Sequence, residues 1–579
     1  MYKYNAPIDE IKFLLKDYFK IYEKNNVFDG LDEDFVSLLL DQSSKISSSE
    51  IFPSNSIGDK LGCYLKDGEV YVPSEFVSVF NNLRDNGWFG LDCSEEYGGQ
   101  QLPYIISTAI NEIFSSSNQS LTMFGGLTHG AYSAIYAHGT DEQKKYYLPK
   151  MTNGHWTGTM NLTEPQCGTD LGLIKTKAIK NEDDSYEITG TKIFISAGDH
   201  NLAENIIHLV LARLPDAPEG VKGISLFIVP KFNTDENYNI LDKNGVSCVK
   251  LEEKMGIHGS PTCMMEYNKS RGYLLGEPNK GLKAMFTMMN EARLLVGLQG
   301  LSQAEISHQF AIQYAKDRIQ GQDISNLDNK QSVPIINHPS IRKILMDQKA
   351  LIEGMRALLF QSALLIDDVK YGKNKDAEVL VSILTPIIKS FLTEQGFNVA
   401  VKSQQVYGGH GYLEDWPMSQ FVRDSRIAMI YEGTNEVQAL DLVLRKLSVN
   451  NGMSLMMLFN EIKSYCNSMK SDEEFYKKYI LALKDSSIKL QDICMYFMKN
   501  TGKLHNVAGS SSDFLNMFAY VLIAYEWSKI AKECRDHEGD FYRDKMNTAE
   551  YYFLKILPIT NYYYEIIKNG CENFKDFNS

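Results

Sequence analysis

The chain has 579 residues, of which 44% are hydrophobic and 11% aromatic, and its formal net charge at pH 7 is -14. This length predicts several domains with large cores, and this composition excludes an intrinsically disordered protein. The acidic balance argues against a nucleic-acid partner, because phosphate binding needs a basic surface, and no apolar run is long enough to span a bilayer.

Residues 9 to about 150 have the pattern of helices joined by loops. Apolar residues recur at helical spacing in two stripes, one beginning at Ile11 and one at Phe76. The serine-rich stretch at residues 43–49 reads as a short loop. We therefore predict an N-terminal helical domain over residues 1–155.

Between about residues 156 and 275 the pattern shortens to segments typical of strands, separated by turns. These segments are residues 186–189, 192–195, 206–211, 224–229 and 263–267. No segment of helical length separates them, which favours an antiparallel sheet or barrel over a parallel sheet. We predict a central antiparallel, barrel-like β domain over residues 156–280.

Long helical patterns return in the second half of the chain. An apolar stripe that begins at Leu282 predicts one helix running past Arg293 towards Arg318. We predict a C-terminal helical bundle over residues 281–450 and an additional helical domain over residues 451–579. The fold class expected for the whole chain is therefore α+β.

The cysteines and the first residues of the chain indicate the cellular compartment of the protein. Nine cysteines are scattered without a Cys-x-x-Cys pair, so neither a zinc site nor a disulfide framework is indicated, and we expect no bound metal. The first ten residues lack the basic start and apolar core of a secretory signal. These features favour a reduced, cytoplasmic protein.

One carboxylate has an unusual setting. Glu432 lies between neutral residues and beside Gly433, directly ahead of a helical pattern that Thr434 or Asn435 is placed to cap. Such a carboxylate is either a general base in a closed pocket or a solvated loop residue. From this stretch alone the solvated residue is the commoner case.

Three other stretches have compositions suited to binding. Residues 161–171 end a predicted strand in a turn whose amides and hydroxyls can bind a heteroaromatic ring. Residues 190–198 offer an aromatic wall and a hydroxyl, and the glycines of residues 404–412 allow a phosphate or ribose to approach the backbone. Each stretch also reads as an ordinary turn or core strand. None is the G-x-G-x-x-G fingerprint, so a nicotinamide-binding Rossmann unit is not indicated.

Taken in order along the chain, these segments resemble the acyl-CoA dehydrogenase family of flavoenzymes. Residues 161–171 resemble its T-E-P-x-A-G-S-D signature, residues 254–262 its K-M-G-x-R-G-S motif, and residues 405–438 the signature that holds its catalytic base. The matches run from about residue 80 to residue 447. The long C-terminal extension is similar to that of the large bacterial members.

The resemblance implies a reaction and a base. Family members dehydrogenate an acyl-CoA thioester to the trans-2-enoyl-CoA, and FAD accepts the β-hydrogen as hydride. Glu432 matches the base that removes the α-proton, and Gly433 beside it allows the thioester to approach a backbone amide. Some relatives carry the base one residue before an arginine that Arg293 matches. Here Ala292 occupies that position and cannot act, and nearby Glu291 is the rival to Glu432.

The resemblance also implies the binding residues. The positions matched to FAD contacts are Met160, Leu162, Thr163, Gly168, Thr169, Phe194, Ser196, Arg318, Gln405, Gly408, Gly409 and Thr434. The positions matched to substrate contacts are Thr169, Asn290, Arg293, Tyr431 and Gly433. Many relatives have Trp at the position of Phe194, Thr at that of Ser196 and Asp at that of Asn290. Thr434 either touches the flavin or caps its helix.

An arginine like Arg318 and a loop like that of Gln405, Gly408 and Gly409 reach the FAD of a neighbouring subunit in relatives, which implies a homo-oligomer, a dimer or larger. The residues after Arg318 are Ile-Gln-Gly, which departs from the family's common K-T-F at that point.

Electron transfer leaves alternatives open. A dehydrogenase passes its electrons to an electron-transferring flavoprotein, an oxidase passes them to oxygen, and a catalytically silent flavin-binding scaffold does neither. Residues 576–579 lack a peroxisomal signal, which favours the dehydrogenase, and the presence of Glu432 and Gly433 argues against the scaffold. The acyl group, 3-methylmercaptopropionyl or a short or medium fatty acyl chain, stays open.

Overall fold

The computed structural model describes residues 2–324, 330–500 and 504–574. Residues 576–579, on which the expectation about a peroxisomal signal rests, lie outside these ranges. Contacts divide the chain into two compact units. The helical unit comprises Met1–Ser44, Pro103–Ser116 and Val296–Ser579, and the sheet unit comprises Lys45–Leu102 and Ser117–Leu295.

The first part of the chain is helical, as its periodicity predicts. Its α-helices are Ile8–Phe13, Glu33–Ile46, Phe52–Leu61, Ser74–Asp85, Tyr104–Ser117, Gln119–His138 and Asp141–Thr152. The last of these begins at a capping box, in which Thr140 and Gln143 each bond the other's backbone. The expectation of an N-terminal helical region is confirmed.

The serine-rich stretch at residues 43–49 is helical, so the expectation of a loop there is wrong. Helix Glu33–Ile46 continues directly into the π-helical turn Ser47–Ile51. The hydroxyl of Ser43 donates to the carbonyl oxygen of Leu40 at 2.8 Å. A serine that bonds the preceding turn of its own helix leaves the helix intact, and burial of Ser43 favours this arrangement.

Thirteen strands lie in the described ranges. They are β1 Tyr64–Lys66, β2 Glu69–Tyr71, β3 Trp156–Asn161, β4 Lys177–Lys180, β5 Tyr186–Ser196, β6 Asn205–Arg213, β7 Ile224–Pro230, β8 Phe232–Thr234, β9 Ile240–Lys243, β10 Val246–Leu251, β11 Thr262–Leu275, β12 Ile319–Gln322 and β13 Ser332–Pro334. The main sheet has the order β10-β11-β5-β4-β6-β3, and β7 pairs with both β11 and β6. Strands β11, β5, β4, β6 and β7 therefore close a ring, which is the barrel-like feature expected of the central domain.

The sheet is mixed rather than wholly antiparallel. Strand β6 pairs in parallel with β3 and with β4, and the other pairs of the main sheet are antiparallel. Strands β4 and β5 lie between β3 and β6 along the chain. They provide the crossover that a parallel pair needs, which a helix usually provides.

Strands β6 and β7 are buried along both faces because each face meets a different core. Val210 and Phe227 point into the barrel. Leu209 and Ile228, one residue away on each strand, point into a second core that includes Ala131 of helix Gln119–His138. This alternation follows from the two-residue period of a strand, and it explains why these segments read as continuous apolar runs.

The rest of the chain is helical. The α-helices of the bundle are Gly281–Asp317, Pro339–Lys370, Lys375–Val406, Met418–Arg426 and Asn435–Asp441. Those of the extension are Met453–Ser468, Glu473–Phe475, Leu481–Lys499, Leu504–Gly509, Ser511–Cys534, Asp540–Tyr551 and Ile559–Asn569. The expected sequence of helices, β domain and helices is thus confirmed, whereas the domain boundaries drawn from sequence stay predictions. Within the described ranges, no helix combines the length and hydropathy needed to cross a membrane.

The extension shares the core of the helical unit. Its helix Ser511–Cys534 packs against the bundle helices Pro339–Lys370, Lys375–Val406 and Asn435–Asp441. A Cβ atom at Gly354 would lie 2.4 Å from Cγ2 of Ile523, so only glycine permits this approach. The extension is therefore part of the packing behind helix Asn435–Asp441, which follows Glu432.

Candidate active site

The backbone at Glu432 is held in an uncommon conformation. Glu432 and Gly433 have φ angles of 58° and 82°. A Cβ atom at Gly433 would lie 2.7 Å from Nε2 of Gln438, and that amide donates to the carbonyl oxygen of Glu432 at 3.1 Å. Position 433 therefore requires glycine, and a neighbouring side chain holds the strained conformation of half-buried Glu432.

A buried lysine holds the same junction from a neighbouring helix. The ammonium group of Lys389 donates to the carbonyl oxygen of Gly433 at 2.7 Å and to Oδ1 of Asn435 at 3.0 Å. Lys389 is 0% exposed. Sequence reasoning missed this residue, although a lysine within the apolar run Ile387 to Phe391 is an available signal, because a buried cation needs partners.

The residues flanking the junction are fixed as well. The hydroxyl of Tyr431 donates to Oε1 of Gln299. The hydroxyl of Thr434 accepts from the backbone N–H of Val437 at 3.4 Å and so caps helix Asn435–Asp441. Of the two roles foreseen for Thr434, the structure shows the cap.

The segment of residues 405–409 joins the end of helix Lys375–Val406 to the 3-10 turn Gly408–Tyr412, and it lies near the end of the long helix in the helical unit. Tyr314, in the last turn of helix Gly281–Asp317, stacks on Tyr407 at 4.1 Å and bonds Nδ1 of His410 at 2.9 Å. Arg318 follows directly and is exposed, as are the predicted residues Gln405, Gly408 and Gly409. Arg318 thus follows a helix end that contacts Tyr407 and His410.

The predicted flavin motif at residues 161–171 forms a tight turn in the sheet unit. Glu164 and Cys167 exchange backbone hydrogen bonds of 2.9 and 3.0 Å. Gly168 and Thr169 are exposed, and a Cβ atom at Gly168 would lie 3.6 Å from Cγ2 of Thr163. Met160 on β3 and Leu162 after it are half-buried. The turn presents hydroxyls and amides at its surface.

A buried ion pair joins this turn to β5. Lys192 donates to Oε1 of Glu164 at 2.8 Å and to the carbonyl oxygen of Leu162 at 3.0 Å. The other oxygen of Glu164 accepts from the backbone N–H of Lys175 at 2.7 Å. Burial raises the pKa of Glu164, but the Lys192 cation and these donors outweigh it and lower the pKa to about 2. Burial lowers the pKa of Lys192.

The second predicted flavin segment contains a bulge. Phe194 has a φ of 58°, and the register between β5 and β11 shifts at this point. Its side chain is 61% exposed as a result. The backbone carbonyl oxygen of Ser196 accepts from the hydroxyl of Thr159 at 2.7 Å, which fixes β5 against β3. An exposed aromatic ring beside two hydroxyl-bearing segments fits the isoalloxazine ring expected from the resemblance.

The rival base has other partners. Glu291 contacts Nδ1 of His129, whose Nε2 lies 3.1 Å from Oδ1 of Asp92. Burial lowers the pKa of His129, but these two carboxylates outweigh it and hold the pKa well above its usual range. Asn290 is exposed and Arg293 half-buried. Among the described residues, no group of histidine, cysteine and acidic side chains has the arrangement of a metal site.

Four family models match successive parts of the chain. They are the acyl-CoA dehydrogenase N-terminal domain over residues 65–155, the middle domain over 159–270, the C-terminal domain over 279–447, and the acetyl-CoA dehydrogenase C-terminal-like domain over 458–577. The last of these matches the helical extension.

Several known proteins are similar to the chain. A 3-methylmercaptopropionyl-CoA dehydrogenase of Ruegeria pomeroyi is 41% identical over 454 residues, which are 78% of this chain and 77% of that protein. The broad-specificity linear acyl-CoA dehydrogenase FadE5 of Mycobacterium tuberculosis is 31% identical over 570 residues, 93% of each chain. Caenorhabditis elegans ACDH-11, solved in complex with C11-CoA, is 18% identical and shares the fold with a TM-score of 0.79 over 100% of this chain and 97% of that one.

Proposed function

This chain belongs to the acyl-CoA dehydrogenase family, whose members are flavoproteins, and from this premise we propose that it converts an acyl-CoA thioester to the trans-2-enoyl-CoA with FAD as cofactor and Glu432 as base. The observation that carries the assignment of the base is the junction of Glu432 and Gly433. Its backbone conformation is uncommon, and Lys389 and Gln438 hold both carbonyl groups.

The chain's residues have distinct roles in this reaction. FAD, when bound, accepts the β-hydrogen as hydride. The carboxylate of Glu432 takes the α-proton. Because Lys389 and Gln438 occupy the two carbonyl oxygens of the junction, its backbone amides keep a constant direction. A fixed amide that bonds the thioester oxygen stabilises the enolate charge without reorganising during the reaction.

Glu291 is less suited to be the base. Its carboxylate contacts a histidine that its neighbours keep protonated, and proton abstraction from substrate would require breaking that ion pair. Glu432 occupies the position that matches the base in the family's signature. We therefore assign the α-proton to Glu432.

The residues that we propose to contact FAD are exposed or half-buried in their own unit. In the sheet unit, the turn at Thr163, Gly168 and Thr169, the half-buried Met160 and Leu162, and the exposed ring of Phe194 with Ser196 contact the FAD. In the helical unit, Arg318, Gln405, Gly408 and Gly409 are exposed, which fits contact with the FAD of a second copy of the chain in a homo-oligomer. Thr434 contributes by capping helix Asn435–Asp441.

The substrate that we propose is 3-methylmercaptopropionyl-CoA or a short or medium fatty acyl-CoA. The relatives include one named for the first and one for linear acyl-CoA thioesters in general. Asn290, Arg293 and Tyr431 contact the CoA thioester in this proposal. The electron acceptor is an electron-transferring flavoprotein, as the resemblance implies.

Anaerobic mixing of the purified protein with a panel of acyl-CoA thioesters tests this function. We expect flavin absorbance to bleach with the true substrate and to persist in Glu432→Gln, with FAD still bound. Glu436→Gln, an exposed glutamate one turn further on, is the matched control and should bleach like the wild type.

Other outcomes would contradict parts of the proposal. Bleaching that survives in Glu432→Gln and disappears in Glu291→Gln would assign the base to Glu291. Rapid reoxidation on adding oxygen would show an oxidase, whereas slow reoxidation that an electron-transferring flavoprotein accelerates is expected. A protein that cannot be reconstituted with FAD would be a scaffold.

A further inference from the structure

In the sheet unit, helix Gln119–His138 and the first turns of helix Gly281–Asp317 pack closely along an apolar seam. A Cβ atom at Gly130, on helix Gln119–His138, would lie 3.0 Å from Cγ of Met288, and one at Gly126 would lie 3.3 Å from Cδ1 of Leu295. Met288 is 0% exposed. Glycine at these positions lets the first turns of helix Gly281–Asp317 lie against the shorter helix.

A charged cluster interrupts this apolar seam. His129 lies between the two glycines and contacts Glu291 through Nδ1 and Asp92 through Nε2. The side chains of His129, Glu291 and Asp92 are 18%, 14% and 4% exposed. Cys93 and Tyr132 also face the imidazole, and the Tyr132 ring stacks on it at 5.9 Å. One histidine thus joins the loop of Asp92 to the long helix.

Glu291 and its neighbours on the long helix point in different directions around the helix axis. Successive residues of an α-helix are about 100° apart around its axis. Arg293, two residues after Glu291, therefore projects about 200° away, on nearly the opposite side. An ion pair at Glu291 fixes the rotation of the turn, and so it fixes the direction in which Arg293 and Asn290 project.

The ion pair fixes the position of one helix along the other, which the surrounding apolar contacts do not do. The apolar contacts of Met288 and Leu295 are non-directional. A charged histidine displaced from its carboxylates leaves poorly solvated charges unpaired, which is unfavourable. The cluster thus opposes sliding and rotation of the turn.

We propose that His129 is a positioning residue, which fixes the turn of Asn290 and Arg293 for contact with the CoA chain of the substrate. This role rests on the proposed function. His129 acts through Glu291 on the long helix.

The test compares His129→Gln with His155→Gln, a matched change at a half-buried histidine that pairs with Glu204. Each variant is assayed with an acyl-CoA and with the same acyl group on N-acetylcysteamine, which lacks most of the CoA chain. We expect His129→Gln to raise KM for the acyl-CoA about tenfold, with KM for the short thioester and kcat within about twofold. His155→Gln should match the wild type.

The pH profile provides a second readout. In the wild type, KM for the acyl-CoA should rise at high pH as His129 loses its proton, and this rise should be absent in His129→Gln and absent with the short thioester. If His129→Gln does not fold, Glu291→Gln replaces it, because an amide keeps the shape and removes the charge, and the same effect on KM is expected.

The outcomes separate this proposal from the function itself. If no acyl-CoA reduces the flavin of the wild-type protein, the proposed function is overturned. If the wild type is active and His129→Gln keeps the wild-type KM, the positioning role alone is overturned. The same conclusion follows if His129→Gln loses kcat equally with both thioesters.

Discussion

The ammonium group of Lys389 lies 2.7 Å from the carbonyl oxygen of Gly433, so a fully buried cation holds the backbone beside the proposed base. The same group donates to Asn435, the first residue of the helix that follows. This lysine therefore fixes both the junction and the start of its helix.

Replacing this lysine tests the importance of that contact. Lys389→Met leaves the carbonyl of Gly433 and the amide oxygen of Asn435 without this donor, and we expect a loss of about 2 kcal/mol in the free energy of unfolding. Because the junction then moves, the rate of flavin bleaching by acyl-CoA should fall at least about tenfold. Stopped-flow absorbance and thermal unfolding measure the two effects. Lys402→Met, an exposed change on the same helix, should alter neither.

The glycine beside the base should not tolerate a side chain. Gly433→Ala combines a positive φ with a Cβ atom 2.7 Å from Gln438, so Gln438 must release the carbonyl of Glu432. We expect a loss of about 1–2 kcal/mol from the backbone alone and a further loss from the displaced amide. Gly30→Ala has a similar φ with open space around it and measures the backbone part. Equal losses in the two variants, by chemical denaturation, would argue against the role given to Gln438.

The pair of Glu164 and Lys192 should give the protein an acid-sensitive step. The folded-state pKa of Glu164 is lowered to about 2, whereas an unperturbed glutamate titrates near 4.3. The stabilisation is therefore fully present above about pH 5 and is lost as the pH falls towards 2. In Glu164→Gln, the dependence of the unfolding free energy on pH should flatten in this window. The unfolding free energy at pH 7 should also fall by about 3 kcal/mol, because Lys192 stays buried without its partner. Glu219→Gln, an exposed change, should retain the wild-type slope.

The exposed ring of Phe194 should contribute to function and not to stability. Its positive φ is unfavourable for an aromatic residue, so Phe194→Gly should keep or raise the unfolding free energy, by up to about 1 kcal/mol. The same variant should bind FAD more weakly, because the proposed aromatic wall is lost. Lys269→Gly, at a positive φ on the adjacent strand, should change stability in the same direction and leave FAD binding unaltered. A titration of FAD followed by fluorescence distinguishes the two variants.

Much of the architecture follows from local patterns. Periodicity predicted the long helix through Arg293 and strands within β5, β6, β7 and β11, because an amphipathic face is written in consecutive residues. The order of the motifs predicted the family. The prediction of a loop at residues 43–49 was wrong, because the preference of serine for turns does not reveal whether its hydroxyl bonds the backbone of its own helix.

The sequence by itself determined the kinds of elements, their order and the glutamate placed before a glycine. Only the tertiary structure decided which distant side chains meet: Lys389 with Gly433, Lys192 with Glu164, and His129 with Glu291. These contacts join residues from 28 to 162 positions apart. No local pattern encodes them, because a buried charge is stable only where folding places its partner, and that placement depends on the packing of the whole unit.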